Sequence, residues 1–269
     1  MKKIFTILLS AVLALCLFTV AGCDKRPVLT MATNAAFAPF EYKEGNKFKG
    51  IDVELAQAIA DELGYRLVIK NMEFDSVITS VSTGQADIAL AALTVSEDRR
   101  QHVNFSDSYF EASQYIIVAA DDDRFSSIES DEEATASDVE DIINGLGANA
   151  KIGFQNGTTG SYYAKGDEDW GFPGFEDAVK QGYANGTQAL ADLRLGRINI
   201  IVIDEMPART IVEKNDDVKL IEVPLTDEEY AIAVKKGDAE LLSKINEALN
   251  KFMEDGTFQS ILEKYYLGD

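Results

Sequence analysis

The sequence predicts an α/β protein built as two units, each on an open and largely parallel sheet. Three observations predict it. Short apolar strands alternate with helical periodicity between Val28 and Leu93, a βαβαβ order. A second set of the same kind begins at Lys151, after an acid-rich stretch over 121–141 that holds few large apolar residues. The chain has 269 residues, 46% of them hydrophobic, enough to build the core of one large or two modest domains.

In chain order, Val28 to Thr33 is a short apolar strand ending at Asn34, and a loop with Pro39 follows. Asp52 opens a helix in which Ile51, Leu55, Ile59 and Leu63 recur every four residues, and Gly64 is placed to stop it. Tyr65 to Lys70 alternates like a strand, and Asp75 caps a helix carrying Val77, Ile78 and Val81. Ala86 to Leu93 is almost wholly apolar, as expected of a strand buried on both faces. Gln114 to Ala120 is another strand. The acidic stretch reads as an exposed connection with a helix starting near Ser137. The second unit has a strand over Ile152 to Phe154, a Gly-Thr loop at 157–160 and a helix from about Ser161. Gly166 to Gly174, holding Trp170 and Pro173, reads as an ordered loop. A helix over Thr187 to Leu195 precedes the apolar strand Ile198 to Ile203, which ends at Asp204. Tyr230 to Val234 is a strand, and helices over Ala239 to Met253 and Thr257 to Tyr265 close the chain. Ligands of such sheets sit at the carboxyl ends of the strands.

Composition excludes much chemistry. Twenty-five Lys plus Arg face 46 Asp plus Glu, a net charge of −21, which opposes binding to nucleic acid or to an anionic surface by charge. Two cysteines make neither a disulfide framework nor a cysteine zinc site, and one histidine, His102, makes a Ser-His-Asp hydrolase improbable. The clusters Asp121-Asp122-Asp123, Asp131-Glu132-Glu133 and Asp167-Glu168-Asp169 lack calcium-loop spacing, so no metal and no cofactor are expected.

Residues 1–22 read as a secretory signal, with Lys2 and Lys3 before an apolar run from Ile4 to Val20. Val20-Ala21-Gly22-Cys23 resembles the bacterial lipobox. The resemblance implies a diacylglycerol on Cys23, the first of 247 remaining residues, whose side chains carry −23 once the two lysines are gone. The protein would then be lipid-anchored at the outer face of the cytoplasmic membrane.

Four stretches resemble one family: Thr33-Asn34-Ala35-Ala36-Phe37-Ala38-Pro39-Phe40, the segment Ala86 to Asp107, Gly157-Thr158-Thr159-Gly160, and Ile203-Asp204-Glu205. Together, in order over 28–268, they are similar to bacterial extracellular solute-binding protein family 3. These are the polar-amino-acid receptors of ABC importers, among them glutamine- and lysine/arginine/ornithine-binding proteins. The resemblance implies a type II periplasmic-binding-protein fold of two lobes joined by two hinge strands. Residues 24–119 and 230–269 would form the large lobe and 120–229 the small one, with crossings near Val118-Ala119-Ala120 and Glu229-Tyr230-Ala231. It implies a monomer that captures a free polar amino acid and delivers it to a permease in the cytoplasmic membrane.

A desolvated amino acid needs a cation for its carboxylate and an anion for its ammonium. Arg99 offers the bidentate fork and Asp204 the anion. Thr94 stands just after a buried strand, and Ala91 and Ala92 present backbone groups there, Ala92 where glutamine binders carry glycine. Gly157-Thr158-Thr159-Gly160 precedes a helix whose free N–H groups favour a carboxylate; the resemblance makes Thr159 a carboxylate donor and puts Gln155 where a side-chain contact is expected. Phe37 and Phe74 match the aromatic pair that sandwiches the ligand side chain, and Asn34 faces that side chain. Such a slot accepts an amide or a guanidinium, so glutamine or another polar amino acid is favoured and arginine or cystine stays open. The competing readings are a same-fold enzyme such as a cyclohexadienyl dehydratase, with Glu41 or Glu205 as its acid, and a sensor ectodomain. Neither has a supporting motif.

Overall fold

The computed structural model describes residues 25–266. Leader and Cys23 lie outside the described residues. In chain order the elements begin with β1 (Val28–Thr33), β2 (Ala36–Phe37), β3 (Glu41–Glu44), β4 (Lys47–Lys49), α1 (Ile51–Glu62) and β5 (Arg66–Asn71). After a single 3-10 turn come α2 (Val77–Ser82), β6 (Ile88–Ala89), α3 (Glu97–His102) and β7 (Val103–Ala112). The second set is β8 (Gln114–Ala119), α4 (Ser126–Glu129), α5 (Ala136–Leu146), β9 (Lys151–Gln155), α6 (Thr159–Lys165) and β10 (Val179–Tyr183). It continues through α7 (Gly186–Arg194), β11 (Ile200–Asp204), α8 (Glu205–Glu213) and β12 (Val218–Ile221). The chain then returns through β13 (Glu228–Lys235), α9 (Ala239–Glu254) and α10 (Thr257–Tyr266).

Two five-stranded sheets result, in the orders β5-β1-β6-β13-β7 and β10-β9-β11-β8-β12. Parallel pairing holds β1 to β5 and β6, and β9 to β10 and β11; β13 and β8 run antiparallel to their neighbours. Alternation along the strands feeds a core on each face. In β1, Leu29 and Met31 face one cluster with Ile59 and Ile88, while Ala32 faces another with Val77 and Val103. No helix among the described residues is long and apolar enough to cross a membrane.

The changeover between sheets differs from the expected crossings. Val118 and Ala119 pair with Lys219 and Val218, so all of β8 belongs to the second sheet. The physical reason is the two-faced burial of β8: Ile116 and Val118 pack into one core and Tyr115 and Ile117 into another, which requires an interior strand. Glu229 to Ala231 likewise lies inside the first sheet, paired with β7. The chain therefore crosses at Ser113 and returns over 222–227. At these crossings the two segments are bonded side by side, Leu225 N–H donating to Gln114 O at 2.9 Å and Gln114 N–H to Thr226 Oγ1 at 2.8 Å.

Three further expectations are corrected. Ala86 to Leu93 is buried except at Asp87, yet only Ile88–Ala89 forms ladder bonds, because the chain then turns toward the cleft. Asp75 lies within the 3-10 turn and makes no helix cap. The loop after Asn34 contains a small three-stranded sheet, β2-β3-β4.

Candidate functional site

The parallel strands of both sheets end at one cleft. Asn34 follows β1, Phe74 follows β5, and Ala92 and Thr94 follow β6; Gln155 ends β9 and Asp204 ends β11. Side chains at such ends lie where the strand backbone stops consuming itself in ladder bonds. One cavity between the sheets is lined by Phe37, Phe74, Ala92, Thr94 and Arg99 from the first side. Gln155, Thr158, Thr159 and Asp204 line it from the second. The cavity is small, with room for about one water molecule.

Arg99 sits in α3, whose first turn is fixed by Ser96 Oγ accepting from Arg99 N–H at 3.2 Å. Its side chain reaches back into the cleft and is 5% exposed. Nη1 donates to Thr94 O at 2.7 Å on its own side, and Nη2 to Gly157 O at 3.1 Å across the cleft. The guanidinium carbon lies 5.5 Å from the Phe74 ring centre and 5.2 Å from that of Trp170. Gly157 has φ +75°, and a Cβ there would approach Asp75 to 3.2 Å, so a glycine lets the loop come this close.

Asp204 is 5% exposed and stands at the start of α8 without capping it, which leaves its carboxylate to the cleft. It accepts a short hydrogen bond from Tyr230 Oη. Burial, and then the charge of Glu228, push its carboxyl up to about 7. Glu228 is buried beside it and gathers three donors. Thr94 Oγ1 donates to Oε2 at 2.6 Å, and Gln114 Nε2 and Thr226 Oγ1 donate to Oε1 at 3.1 and 2.6 Å. Since Thr94 commits its proton to Glu228, Thr94 Oγ1 accepts from Thr159 Oγ1 at 3.0 Å, across the cleft.

The end of the cavity beside Gln155 is formed differently. Asn34 Nδ2 donates to Met72 O at 2.7 Å, and Asn34 Oδ1 accepts from Gln155 Nε2 at 3.0 Å. Gln155 Oε1 is buried with no hydrogen-bond partner in the protein, an acceptor free for a donor in the cavity. Ala92 has φ +47°, a left-handed conformation that suits glycine, and Asp52 Oδ2 accepts its N–H at 2.8 Å. Asp52 Oδ1 accepts from Tyr109 Oη at 2.7 Å. Burial pushes Asp52 up to about 6, and burial followed by the charge of Asp52 pushes Glu41 well above the usual carboxyl range.

Eight of the ten expected residues thus line one cavity, and Asn34 is hydrogen-bonded to one of the eight, Gln155. Ala91 does not line it; its side chain is packed in the core with Val77 and Val103. Glu41 is fully buried away from the cavity lining, and Glu205 is paired with Arg209 at 2.8 Å, so neither suggested acid faces the cavity. Among the described residues no His, Cys, Asp and Glu side chains are grouped to hold a metal ion. Sequence reasoning missed Thr158, Glu228, Tyr230, Asp52 and Trp170. Thr158 carried a signal, its place in the Gly-Thr loop; Glu228 looked like one more acid among Asp227, Glu228 and Glu229.

The sequence and the architecture match known proteins. The chain is 29% identical to the arginine-binding extracellular protein ArtP of Bacillus subtilis, over the whole of both chains. It is 30% identical to a probable histidine-binding protein of Neisseria gonorrhoeae, covering 89% of this chain and 83% of that one. A crystal structure of a mutant of the arginine-binding protein of T. maritima superposes with a TM-score of 0.76 at 32% identity, covering 89% of this chain and 95% of that one. An ancestral arginine-binding protein bound to glutamine gives 0.75 at 33%, over 90% and 98%. An ancestral amino-acid-binding protein described as a precursor of cyclohexadienyl dehydratase gives 0.74 at 30%, over 88% and 94%. The two-lobed fold is that of type II periplasmic amino-acid-binding proteins. Residues 29–268 match the family model as well, and the chain belongs to the bacterial extracellular solute-binding proteins, family 3.

Proposed function

We propose that this protein is the receptor of an ABC importer, that it holds a free polar amino acid between its lobes, and that it passes the ligand unchanged to a permease. One observation carries the reading: Arg99 and Asp204, a buried cation and a buried anion, line the same cavity from opposite lobes. A zwitterion satisfies both at once, its carboxylate on the Arg99 fork and the Thr159 end of α6, its ammonium on Asp204. The lobes, divided at Ser113 and 222–227, part to admit the ligand and close because only the closed form makes both sets of bonds.

The buried acceptor Gln155 Oε1 calls for a side chain that brings N–H donors, and the Phe37 and Phe74 rings for a flat one. Arginine and glutamine both qualify. Two buried acids, Asp204 and Glu228, against one buried arginine favour arginine. Calorimetry against the twenty amino acids plus ornithine and cystine tests this, with arginine expected first and glutamine next. Arg99→Ala should weaken the best ligand by roughly 2–5 kcal/mol, tens- to thousands-fold, because a carboxylate is left buried without its partner. Retention within about threefold would sink the assignment. For the anchor, Cys23→Ser should move the protein from the membrane fraction to the soluble one, since the remaining surface is strongly acidic.

A further inference from the structure

Trp170 is the chain's sole tryptophan and is not among the residues lining the cavity. It belongs to a loop that is fixed to the small lobe in several ways. Asp167 and Phe172 exchange backbone hydrogen bonds at 2.8 and 2.9 Å, and Asp167 Oδ1 accepts from the N–H groups of Asp169 and Trp170 at 3.0 and 3.2 Å. The loop is pinched shut where Gly174 meets Gly166: a Cβ on Gly174 would lie 2.3 Å from Gly166 N. The indole stacks on Tyr162 of α6 with centroids 5.0 Å apart at 16°, and Phe172 packs edge-on against Tyr163 at 5.3 Å. A loop held this way carries Trp170 as a rigid part of the small lobe.

Arg99, by contrast, belongs to the large lobe, as does Phe74, whose ring centre lies 5.5 Å from the guanidinium carbon. With the lobes apart, Phe74 stays with the guanidinium, but the indole is carried away with the small lobe and water takes its place. With the lobes together, two aromatic rings stand against the guanidinium, one from each lobe. An indole against the guanidinium occupies space that water would otherwise take, and a charge with less water around it interacts more strongly.

Building on the amino-acid-receptor reading above, we propose that Trp170 is a positioning residue for Arg99: its indole closes over the guanidinium only when the lobes meet, and so retards ligand release without taking part in capture. Capture needs the open form, in which Trp170 is absent from Arg99, so the effect falls on the dissociation rate.

The experiment measures release of radiolabelled arginine and glutamine, association rates and calorimetric affinity for the wild type and for Trp170→Ala, Trp170→Leu and Trp170→Phe. Leucine fills the space without a π face, which separates the cation–π contact from simple packing. Release from the Ala and Leu variants should quicken roughly tenfold with association unchanged within about twofold, while Phe stays near the wild type. In the wild type, arginine should alter the emission of the sole indole. A Leu variant that releases at the wild-type rate, or variants that lose affinity through slower association, overturn the proposal. A wild type that binds no amino acid overturns the receptor reading itself and this proposal with it. One that binds normally with unchanged variants overturns this proposal alone.

Discussion

Asp204 carries a carboxylate that burial and the neighbouring Glu228 make reluctant to ionise, and on the proposed reading the ligand's ammonium would reverse that balance. Binding therefore expels a proton wherever the free protein holds one. Affinity should climb with pH up to about 7 and fall by as much as tenfold per unit below it, which calorimetry in buffers of different ionisation enthalpy detects. Stability of the free protein runs the other way. The folded pKa of Asp204 is raised, so its stabilisation is complete below the unfolded value and is lost as pH rises through about 7. Asp204→Asn keeps an acceptor for Tyr230 and abolishes the charge. Its melting temperature relative to the wild type should rise between pH 5 and pH 8 while its ligand affinity drops at every pH. No pH dependence in that difference would remove Asp204 as the titrating group. Its residue type and place were legible in the sequence, because a strand running into an acid before a helix is a local pattern. Glu228 was not, since what sets it apart from Asp227 and Glu229 is contact with Thr94 and Gln114, more than a hundred positions away.

At the scale of elements, the segment from β6 to α3 shows how a core residue shapes a ligand surface. Asp52 lies in the first turn of α1, fully buried, and its two oxygens hold Ala92 N–H and Tyr109 Oη. The left-handed turn at Ala92 thus depends on a helix forty residues earlier. Asp52→Ala leaves two buried donors without partners and should cost roughly 2–4 kcal/mol in urea denaturation. Ligand affinity should fall as well, since the turn presents Ala92 and Thr94 to the cavity; a variant as stable as the wild type would show that the turn holds by itself. The sequence read Asp52 only as a helix start, because periodicity reports a helix's buried face and not what a polar group on it bonds. It located the helices with caps and apolar spacing, α1, α9 and α10, to within a residue or so. It missed β7, β10 and β12, whose mixed residues, such as Val-Asn-Phe-Ser-Asp in β7, show no clean alternation because their neighbours bury them unevenly.

For the whole molecule, the net charge of −21 now has a specific consequence. On the proposed reading it would attract a cationic amino acid such as arginine over a distance that salt shortens, about 10 Å at 0.1 M and 3 Å at 1 M. Stopped-flow association of arginine should slow with added salt, whereas that of glutamine, which has no net charge, should hardly change. Equal salt dependence for the two would show that the global field plays no part in capture. Composition alone offered this field as a reason to exclude nucleic acid; in the proposed receptor it would also draw a cationic ligand toward the cleft.

The strand order has a consequence for how the molecule is assembled. β13 lies in the interior of the first sheet, between β6 and β7, yet it is the last strand in the chain. The second sheet has all its strands once Ile221 has been made, but the first keeps an interior gap until Lys235 follows. The part that begins the chain is therefore the part that finishes last. Its closure joins residues such as Ala89 and Ala233, a long-range pairing of the kind that makes folding slow. Until then the edges of β6 and β7 lack their partner strand, a liability of any sheet left open. A newly made chain would first complete the lobe it needs to close a binding cleft, and only afterwards the lobe that lies next to its own beginning.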